Sequence, residues 1–388
     1  MKRHRLWAEV DLTALEDNFR QIKSRLAPGT KVLAVLKANA YGHGAVPVAN
    51  SLVKAGVDMF GVGDSGEALE LRRADITSPI LVLGALIEDE VPRVVHEGIT
   101  PCIHSLDIAR ILQEEAARQN IALDVHVNVD TGMGRLGISP RNAIELLKSI
   151  SAFPNLRLRG FSTHFSSAGA VSRNFMQQQL IAFHEVAAEA RKHGIRFELL
   201  HAANSTAALR MEDTHLNMVR VGIALYGIDP SGFFRDVTAL KPVLSFKTRI
   251  IYLKTVPPKT PIGYDRTFTT YRKTRVATLP VGYNDGYPFL LSNKARVIVH
   301  GCRAPVIGGI TMDYTMVDVT DVRDASVGDE VVLIGSDGNA SISAVELANL
   351  TGTIPYEITC MLGKRVRRVY LAGEEGEEVL AHEAAEVI

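Results

Sequence analysis

Short apolar runs alternate with amphipathic segments along roughly the first 240 residues of the chain. Segments such as SGEALELRRA and SLDIARILQEEAARQ have the spacing of helices with one apolar face, and the runs between them have the length of buried strands. The runs predict eight strands, near residues 31–37, 58–62, 79–83, 98–102, 123–129, 157–164, 197–202 and 218–224. Eight strands that alternate with helices predict an α/β fold, a closed parallel (β/α)8 TIM barrel.

The competing architecture is a doubly wound open sheet. Such a sheet carries a glycine-rich GxGxxG turn after an early strand. The turn after the first predicted strand reads AYGHG, which does not have that spacing. The count of eight strands therefore favours the barrel.

The pattern changes near residue 240, where helical periodicity fades. Strand-like runs then follow one another, separated by Pro, Gly, Asp and Asn: SFKTRIIYLKTV, RVATLPVGY, ARVIVHG, YTMVDV and EVVLIG. Such turn residues between apolar runs are typical of a sheet with short connections. We therefore predict a barrel at residues 13–240 and a mainly β domain at residues 241–388.

Composition and charge argue against several classes of function. Of the 388 residues, 46% are hydrophobic, and the formal net charge is zero. A neutral chain offers no basic surface to nucleic acid, so no such partner is expected. We also expect no membrane span and no secretory signal, because the sequence has no apolar run of the required length.

Cysteine and histidine are scattered. The cysteines are Cys102, Cys302 and Cys360, and neither a CxxC pair nor an HExxH motif occurs. No metal site and no disulfide framework are therefore expected, which suits a cytoplasmic location.

A lysine stands at the end of the first predicted strand. Lys37 follows the apolar run VLAVL, in the sequence VLAVLKANAYGHG. The functional groups of parallel barrels lie at the C-terminal ends of their strands. A single lysine at such a place is more often solvated than catalytic. The alternative is an amine made nucleophilic by partial burial, as in Schiff-base chemistry.

Four further strand ends carry polar residues. Strands five to eight contain or run into NVDTGMGRLG, GFSTHF, HAANSTAALR and NMVRVGIALYG, which supply Asp130, Arg135, His164, Asn204, Ser205, Arg220 and Gly222. Taken alone, His164 is best interpreted as a core histidine and Ser205 as a helix N-cap. An arginine in a buried strand needs a partner, however, because an unpaired buried charge is costly.

Ser205 and Gly222 occupy the positions, after strand seven and near strand eight, at which such barrels bind phosphate. A Schiff-base lysine, a phosphate site and a buried arginine together indicate one kind of cofactor. That cofactor is pyridoxal 5'-phosphate (PLP).

Eight segments, in order, resemble the alanine racemase family: AVLKANAYGHG, VDTGMGRLG, THF, HAANSTAALR, NMVRVGIALYG, PIGYDRTF, LPVGYNDGYP and TMDYTMVDV. The similarity runs from Trp7 to about Tyr370. It implies a PLP-dependent enzyme that interconverts L-alanine and D-alanine and supplies D-alanine for peptidoglycan. It also implies a homodimer with shared active sites, in which residues 1–12 add a strand to the β domain.

The resemblance also implies residue roles. Lys37 carries PLP and is one catalytic base, and the partner subunit's Tyr264 is the other. Two bases on opposite faces of the α-carbon allow a proton to be removed from one face and delivered to the other. Arg220, held by His164, faces the pyridine nitrogen. Because arginine never gives up its proton, it cannot stabilise a protonated pyridine, and side transamination is suppressed.

The cofactor-binding set that the resemblance implies is Lys37, Tyr41, Arg135, His164, Asn204, Ser205, Arg220, Gly222, Ile223 and Tyr356. Arg135 and the partner subunit's Met312 approach the substrate carboxylate. Tyr283 lies at the entrance.

Three positions depart from the pattern of many family members. Gly309 stands where an arginine lines the entrance, and Thr311 where a cysteine is common. Asn128 stands where many members have a lysine that is carbamylated. We expect Arg135 to keep its permanent charge in a partly buried site, where it needs a partner. Three arrangements remain open: a direct hydrogen bond to Asn128, a nearby carboxylate or water, or a small anion such as chloride. We favour the anion, because an amide supplies no charge.

Three other functions fit parts of the pattern. The first is a racemase of broader specificity, acting on serine, lysine or ornithine. The second is a PLP decarboxylase, but enzymes of that kind place an acidic residue where this chain has Arg220. The third is a non-catalytic PLP carrier, but such carriers lack the β domain that contains Tyr264.

Overall fold

The computed structural model describes residues 4–166, 173–230, 232–234, 236–373 and 377–379. The strand β1 (Leu6–Asp11) comes first. Eight parallel strands follow: β2 (Lys31–Val35), β3 (Met59–Val62), β4 (Ile80–Val82), β5 (Thr100–Ile103), β6 (Leu123–Asn128), β7 (Leu156–Ser162), β8 (Leu199–His201) and β9 (Met218–Val221). Each predicted strand corresponds to one of these eight.

The eight strands form a nearly closed barrel. Their order in the sheet is β8-β7-β6-β5-β4-β3-β2-β9, so the last strand returns beside the first. Between β8 and β9, the backbone N–H of Arg220 donates to the carbonyl of Ala203 at 3.0 Å. The predicted barrel is confirmed, and the open-sheet alternative is wrong.

Helices connect the strands and cover the barrel. They are α1 (Leu12–Lys23), α2 (Lys37–Tyr41), α3 (Ala45–Lys54), α4 (Ser65–Arg73), α5 (Val91–His96), α6 (Leu106–Arg118), α7 (Pro140–Ser151), α8 (Arg173–Lys192), α9 (Ser205–Arg210), α10 (Ala344–Thr351) and α11 (Pro355–Cys360), the last two after the barrel. Several begin at a side-chain cap, such as Asp11, whose carboxylate accepts from the N–H of Ala14 at 2.8 Å. In the described part of the chain, every helix is too short or too polar to cross a bilayer.

The chain after the barrel is mainly β structure, as predicted. Its strands are β10 (Leu244–Arg249), β11 (Tyr252–Val256), β12 (Pro261–Ile262), β13 (Phe268–Thr269), β14 (Thr274–Leu279), β15 (Arg296–Val299), β16 (Cys302–Pro305), β17 (Thr315–Asp318), β18 (Glu330–Asp337), β19 (Ala340–Ile342), β20 (Arg367–Ala372) and β21 (Glu377–Val379). The main sheet has the order β16-β15-β18-β10-β1-β20-β21, with β19 on β18. Smaller sheets contain β11-β14-β17 and β12-β13.

The N-terminal strand β1 lies inside the main β-domain sheet. It pairs antiparallel with β10 and parallel with β20 before the chain enters the barrel through α1. One hydrophobic cluster contains both barrel residues such as Leu33 and sheet residues such as Leu333. The limits 1–12, 13–240 and 241–388 stay predictions, and their outermost residues lie outside the described ranges.

Candidate active site

A cavity of about 220 Å³ lies at the C-terminal ends of the barrel strands. The cavity brings together many of the residues that the sequence singled out: Lys37, Tyr41, Asn128, Arg135, His164, Asn204, Ser205, Arg220, Gly222, Ile223 and Tyr356. Tyr356 comes from α11, so the β domain supplies part of the wall. Tyr264, Tyr283 and Met312 do not line this cavity in the described part of the chain.

Lys37 is the first residue of α2, which is a left-handed helical turn. Ala38, Asn39, Ala40 and Tyr41 have φ angles of 53°, 52°, 53° and 55°. This conformation costs an ordinary residue about 1–2 kcal/mol, so the rest of the fold must hold the turn in place.

Two charged side chains hold the left-handed turn. The carboxylate of Glu67 accepts from the N–H of Ala38 at 2.6 Å and from the N–H of Gly63 at 2.7 Å. The guanidinium of Arg368, on β20, donates to the carbonyl of Gly42 at 3.2 Å. The turn that carries the candidate lysine is therefore fixed from the barrel and from the β domain at once.

The amine of Lys37 is partly buried beside a second positive charge. Burial lowers the pKa of Lys37 below its usual value, and the charge of Arg135 lowers it further. The carboxylate of Glu67 acts in the opposite direction. A lysine with a lowered pKa is neutral more often, and the neutral amine is the form that attacks a carbonyl or accepts a proton.

The guanidinium of Arg220 is held by neutral acceptors. Its Nη1 donates to Nδ1 of His201 at 2.8 Å and to the carbonyl of the same residue at 2.9 Å. Its Nη2 donates to the carbonyls of Thr163 and Ala202 at 2.8 and 3.0 Å and to Nδ1 of His164 at 3.1 Å. The contact between His164 and Arg220 that the resemblance implies is thus present.

The charge of Arg220 keeps its neighbours neutral. Burial lowers the pKa of Arg220 to about 10, so the group stays charged near neutral pH. Burial and this charge lower the pKa of His164 to about 3 and that of His201 well below its usual value. Among the described residues no carboxylate pairs with Arg220, and its Nε–H has no hydrogen-bond partner.

Hydroxyl groups gather near the start of α9. Asn204 caps this helix, and Oγ of Ser205 accepts from the N–H of Gly222 at 3.0 Å. A Cβ atom on Gly222 would lie 2.3 Å from the hydroxyl of Tyr41, so only glycine fits there. The rings of Tyr41 and Tyr356 lie 6.0 Å apart, and burial raises the pKa of both phenols. Both phenols therefore keep a proton to donate.

Asn128 does not bind Arg135 directly. Its Nδ2 donates to the carbonyl of Leu136 at 2.8 Å, and its Oδ1 accepts from Oγ of Ser162 at 3.1 Å. Within one chain Arg135 is exposed rather than partly buried as expected, although it also lines the cavity. Asp130 binds backbone N–H groups of its own loop at 2.8 to 3.1 Å. An anion between Asn128 and Arg135 stays a prediction.

The other predicted site residues lie on the β domain. Tyr264 is 75% exposed, Met312 52% and Tyr283 45%. The loop of Met312 is fixed, because Arg365 joins Asp313 at 2.8 Å to the buried carboxylate of Asp285 at 2.9 Å. Most of the large apolar side chains that are exposed in the described part of the chain lie after residue 250. Exposed apolar groups of this kind are typical of an interface.

Three residues with a clear part in the site were missed from the sequence. His201 begins the segment HAANSTAALR, where its position near the end of the seventh predicted strand was a usable signal. Glu67 lies in the helix that follows the second barrel strand, where its position near a strand end was a usable signal. Arg368 gave no local signal, because β20 reaches the lysine turn only through the packing of the two domains.

Comparisons with known proteins cover nearly the whole chain. The family model "Alanine racemase, N-terminal domain" matches residues 10–230, and "Alanine racemase, C-terminal domain" matches residues 243–370. An alanine racemase of Halothermothrix orenii is 43% identical over 364 residues, which covers 94% of this chain and 96% of that protein.

Solved structures show the same similarity. An alanine racemase from Clostridium difficile 630 superposes with a TM-score of 0.93 and 36% identity, covering 98% of both chains. An alanine racemase from Bartonella henselae with covalently bound pyridoxal phosphate gives a TM-score of 0.85 and 32% identity, covering 95% of this chain and 100% of that one.

Proposed function

This chain belongs to the alanine racemase family and is an alanine racemase, and we propose that it works with PLP bound at Lys37 and with two catalytic bases. The bases are Lys37 and the partner subunit's Tyr264. The observation that carries the proposal is the position of Lys37, whose amine has a lowered pKa and lies in a cavity with Arg220 and the Ser205 hydroxyl.

The residues of the cavity fit PLP. Lys37 offers an amine, and the hydroxyls of Tyr41 and Ser205 in the same cavity offer donors for a phosphate. Because Gly222 has no side chain, the hydroxyl of Tyr41 lies close to its backbone, in the same cavity as Ser205. Arg220 has one unpaired donor, Nε–H, among the described residues, and a pyridine nitrogen is an acceptor.

PLP, when bound, withdraws electrons from the α-carbon of the substrate and makes its proton acidic. Lys37 Nζ then accepts or returns that proton on one face of the carbon. The hydroxyl of the partner subunit's Tyr264 does the same on the other face. Removal on one face followed by delivery on the other inverts the configuration, and the reverse order restores it.

The exposed position of Tyr264 supports a shared site. Within one chain Tyr264 is 75% exposed and does not line the cavity that contains Lys37. A head-to-tail dimer would bury it against the partner's cavity, together with Met312 for the substrate carboxylate and Tyr283 at the entrance. The catalytic unit is then the homodimer.

Arg220 favours racemisation over the alternatives. With PLP bound, the guanidinium of Arg220 would donate to the pyridine nitrogen without protonating it, and so would limit how strongly the ring withdraws electrons. Return of the proton to the α-carbon would then be favoured over its delivery elsewhere, which is the outcome that racemisation requires. A decarboxylase would need a carboxylate at this position, and here the position holds a guanidinium with five hydrogen bonds to neutral acceptors.

Incubation with L-alanine in deuterated water tests the proposal. We expect deuterium at the α-position of both enantiomers and loss of optical rotation, and neither with Lys37→Ala. Release of carbon dioxide would indicate a decarboxylase, and no exchange at all would indicate a carrier. Parallel runs with L-serine, L-lysine and L-ornithine measure specificity, and faster turnover of any of them would contradict the preference for alanine.

A further inference from the structure

Arg220 is the first member of a buried chain of three side chains. Its Nη1 lies 2.8 Å from Nδ1 of His201, and Nε2 of His201 lies 2.9 Å from Nδ1 of His126. Arg220 is 6% exposed, His201 1% and His126 0%. Only Arg220 lines the cavity, so the two histidines reach the site through it.

The chemistry of arginine fixes the direction of every hydrogen bond in this chain. A guanidinium only donates, so Nδ1 of His201 must accept. The neutral ring of His201 then carries its proton on Nε2, and that N–H donates to Nδ1 of His126. His126 in turn carries its proton on Nε2, which is buried and has no partner among the described residues.

Both imidazoles must be neutral for this order to hold. Burial and nearby arginine charges lower the pKa of His126 to about 3. Burial and the charge of Arg220 lower the pKa of His201 well below its usual value. A second proton on either ring would put two N–H donors face to face in one of these contacts and leave that contact without an acceptor.

A glycine on the strand between the two histidines allows their rings to come into contact. His126 lies on β6 and His201 on β8, and β7 runs between them with Gly160 opposite His126. A Cβ atom on Gly160 would lie 2.3 Å from Nδ1 of His126. Because Gly160 has no side chain, the rings reach across β7 and their centroids lie 5.0 Å apart. Any other residue at this position would separate them.

We propose that His126 is a positioning residue of the active site. Arg220 requires the tautomer of His201 that carries its proton on Nε2, and His126 stabilises that tautomer by accepting from Nε2–H. It thereby strengthens the hydrogen bond between Nδ1 of His201 and the guanidinium that faces the cavity. The effect on the reaction rests on the proposed role of Arg220. The tautomer itself depends only on the contacts described.

The first test is the tautomer of His201, read from two-bond 1H–15N spectra of the full-length protein with 15N-labelled histidine. The His201 signals are assigned by their loss in His201→Asn. We expect the Nε2–H pattern in the wild type and in His126→Asn, whose amide oxygen can accept in place of Nδ1. In His126→Phe, which keeps a ring over Gly160 but cannot accept, Nε2–H of His201 loses its acceptor. A measurable fraction of the Nδ1–H form should then appear, at the expense of the bond from Arg220.

The second test is the ratio of transamination to racemisation. His126→Phe should raise this ratio by about tenfold, and His126→Asn should restore it towards the wild type. The control is His215→Phe, because His215 is also buried, but its ring nitrogens contact the backbone of Ala27 and Ala208 instead. That variant should leave both the tautomer of His201 and the ratio unchanged.

Several results would overturn the proposal. A protonated or Nδ1–H form of His201 in the wild type would do so without any variant, which covers the case in which His126→Phe does not fold. So would an unchanged tautomer in a folded His126→Phe. A changed tautomer with an unchanged reaction ratio would instead contradict the proposed role of Arg220, so the two failures can be told apart.

Discussion

Arg220 is a buried cation whose hydrogen-bond partners are carbonyl oxygens and neutral imidazoles. A buried charge without a counterion is costly, and such a cost is typical of functional positions. In the same cavity, Lys37 has a lowered pKa because of its own burial and the charge of Arg135. Burial and the nearby positive charge thus keep more of the lysine in the neutral form that can accept a proton, and the positive charge suits the site to an anionic cofactor.

The role of Arg220 can be tested by changing its charge. Arg220→Glu should allow the pyridine nitrogen to be protonated, so racemisation should fall by about 10²–10³-fold while transamination rises relative to it. Product analysis with L-alanine measures both reactions. Arg220→Lys is the control, because it keeps a cation at the site. An unchanged ratio of the two reactions in a folded Arg220→Glu would contradict the electronic argument.

The location of a single residue in the site was predictable from the sequence where its position along a predicted strand was sufficient to place it. Lys37 and Arg220 stand at or within buried strands that periodicity identifies, so their place at the mouth of the barrel followed from the sequence. Glu67 and His201 act through hydrogen bonds to particular atoms, and no sequence pattern specifies these. The exposure of Arg135 was also missed, because it depends on how its loop leaves β6.

At the scale of elements, the left-handed turn α2 is the unusual piece of the fold. The turn ends at glycines that also have positive φ angles, 86° for Gly42 and 100° for Gly44. The turn itself contains alanine and asparagine, which gave no reason to predict left-handed backbone. The eight barrel strands were predictable, because each is a short apolar run between helical segments. The turn was not, because Glu67 and Arg368 hold it from distant parts of the chain.

Glu67→Gln tests whether this turn positions the lysine. Glutamine offers one acceptor oxygen and one donor group, so it can replace only one of the two hydrogen bonds that Glu67 accepts. We expect cofactor affinity to fall about tenfold, measured by absorbance titration with PLP. Glu70→Gln is a matched control on the same helix. Equal affinities of the two variants would show that Glu67 does not support the turn.

At the scale of the whole molecule, the N-terminal strand β1 joins the β-domain sheet before the chain enters the barrel. The buried histidines bear on a second property, the stability of the fold. The place of β1 in the β-domain sheet could not be read from its own pattern, because its partners lie more than two hundred residues away. His43, His126 and His201 are fully buried. Burial lowers the pKa of His43 to about 4 and that of His126 to about 3.

These histidines predict a loss of stability in mild acid. Below about pH 6.5 the unfolded chain binds protons at them and the folded chain does not. The free energy of unfolding should therefore fall by up to about 1.4 kcal/mol per pH unit for each histidine. Urea unfolding at about pH 7.5 and about pH 5.5 measures it. His126→Asn should show a smaller fall, and equal stability of the wild type at both pH values would refute this.

The central claim is that Lys37 of one subunit and the partner subunit's Tyr264 form one active site, and subunit mixing tests it most directly. Lys37→Ala and Tyr264→Phe should each be nearly inactive alone. After exchange, each mixed dimer would contain one site with both residues intact and one with neither, so an equal mixture should recover about a quarter of the wild-type racemase activity. No recovery after verified subunit exchange would contradict the shared site.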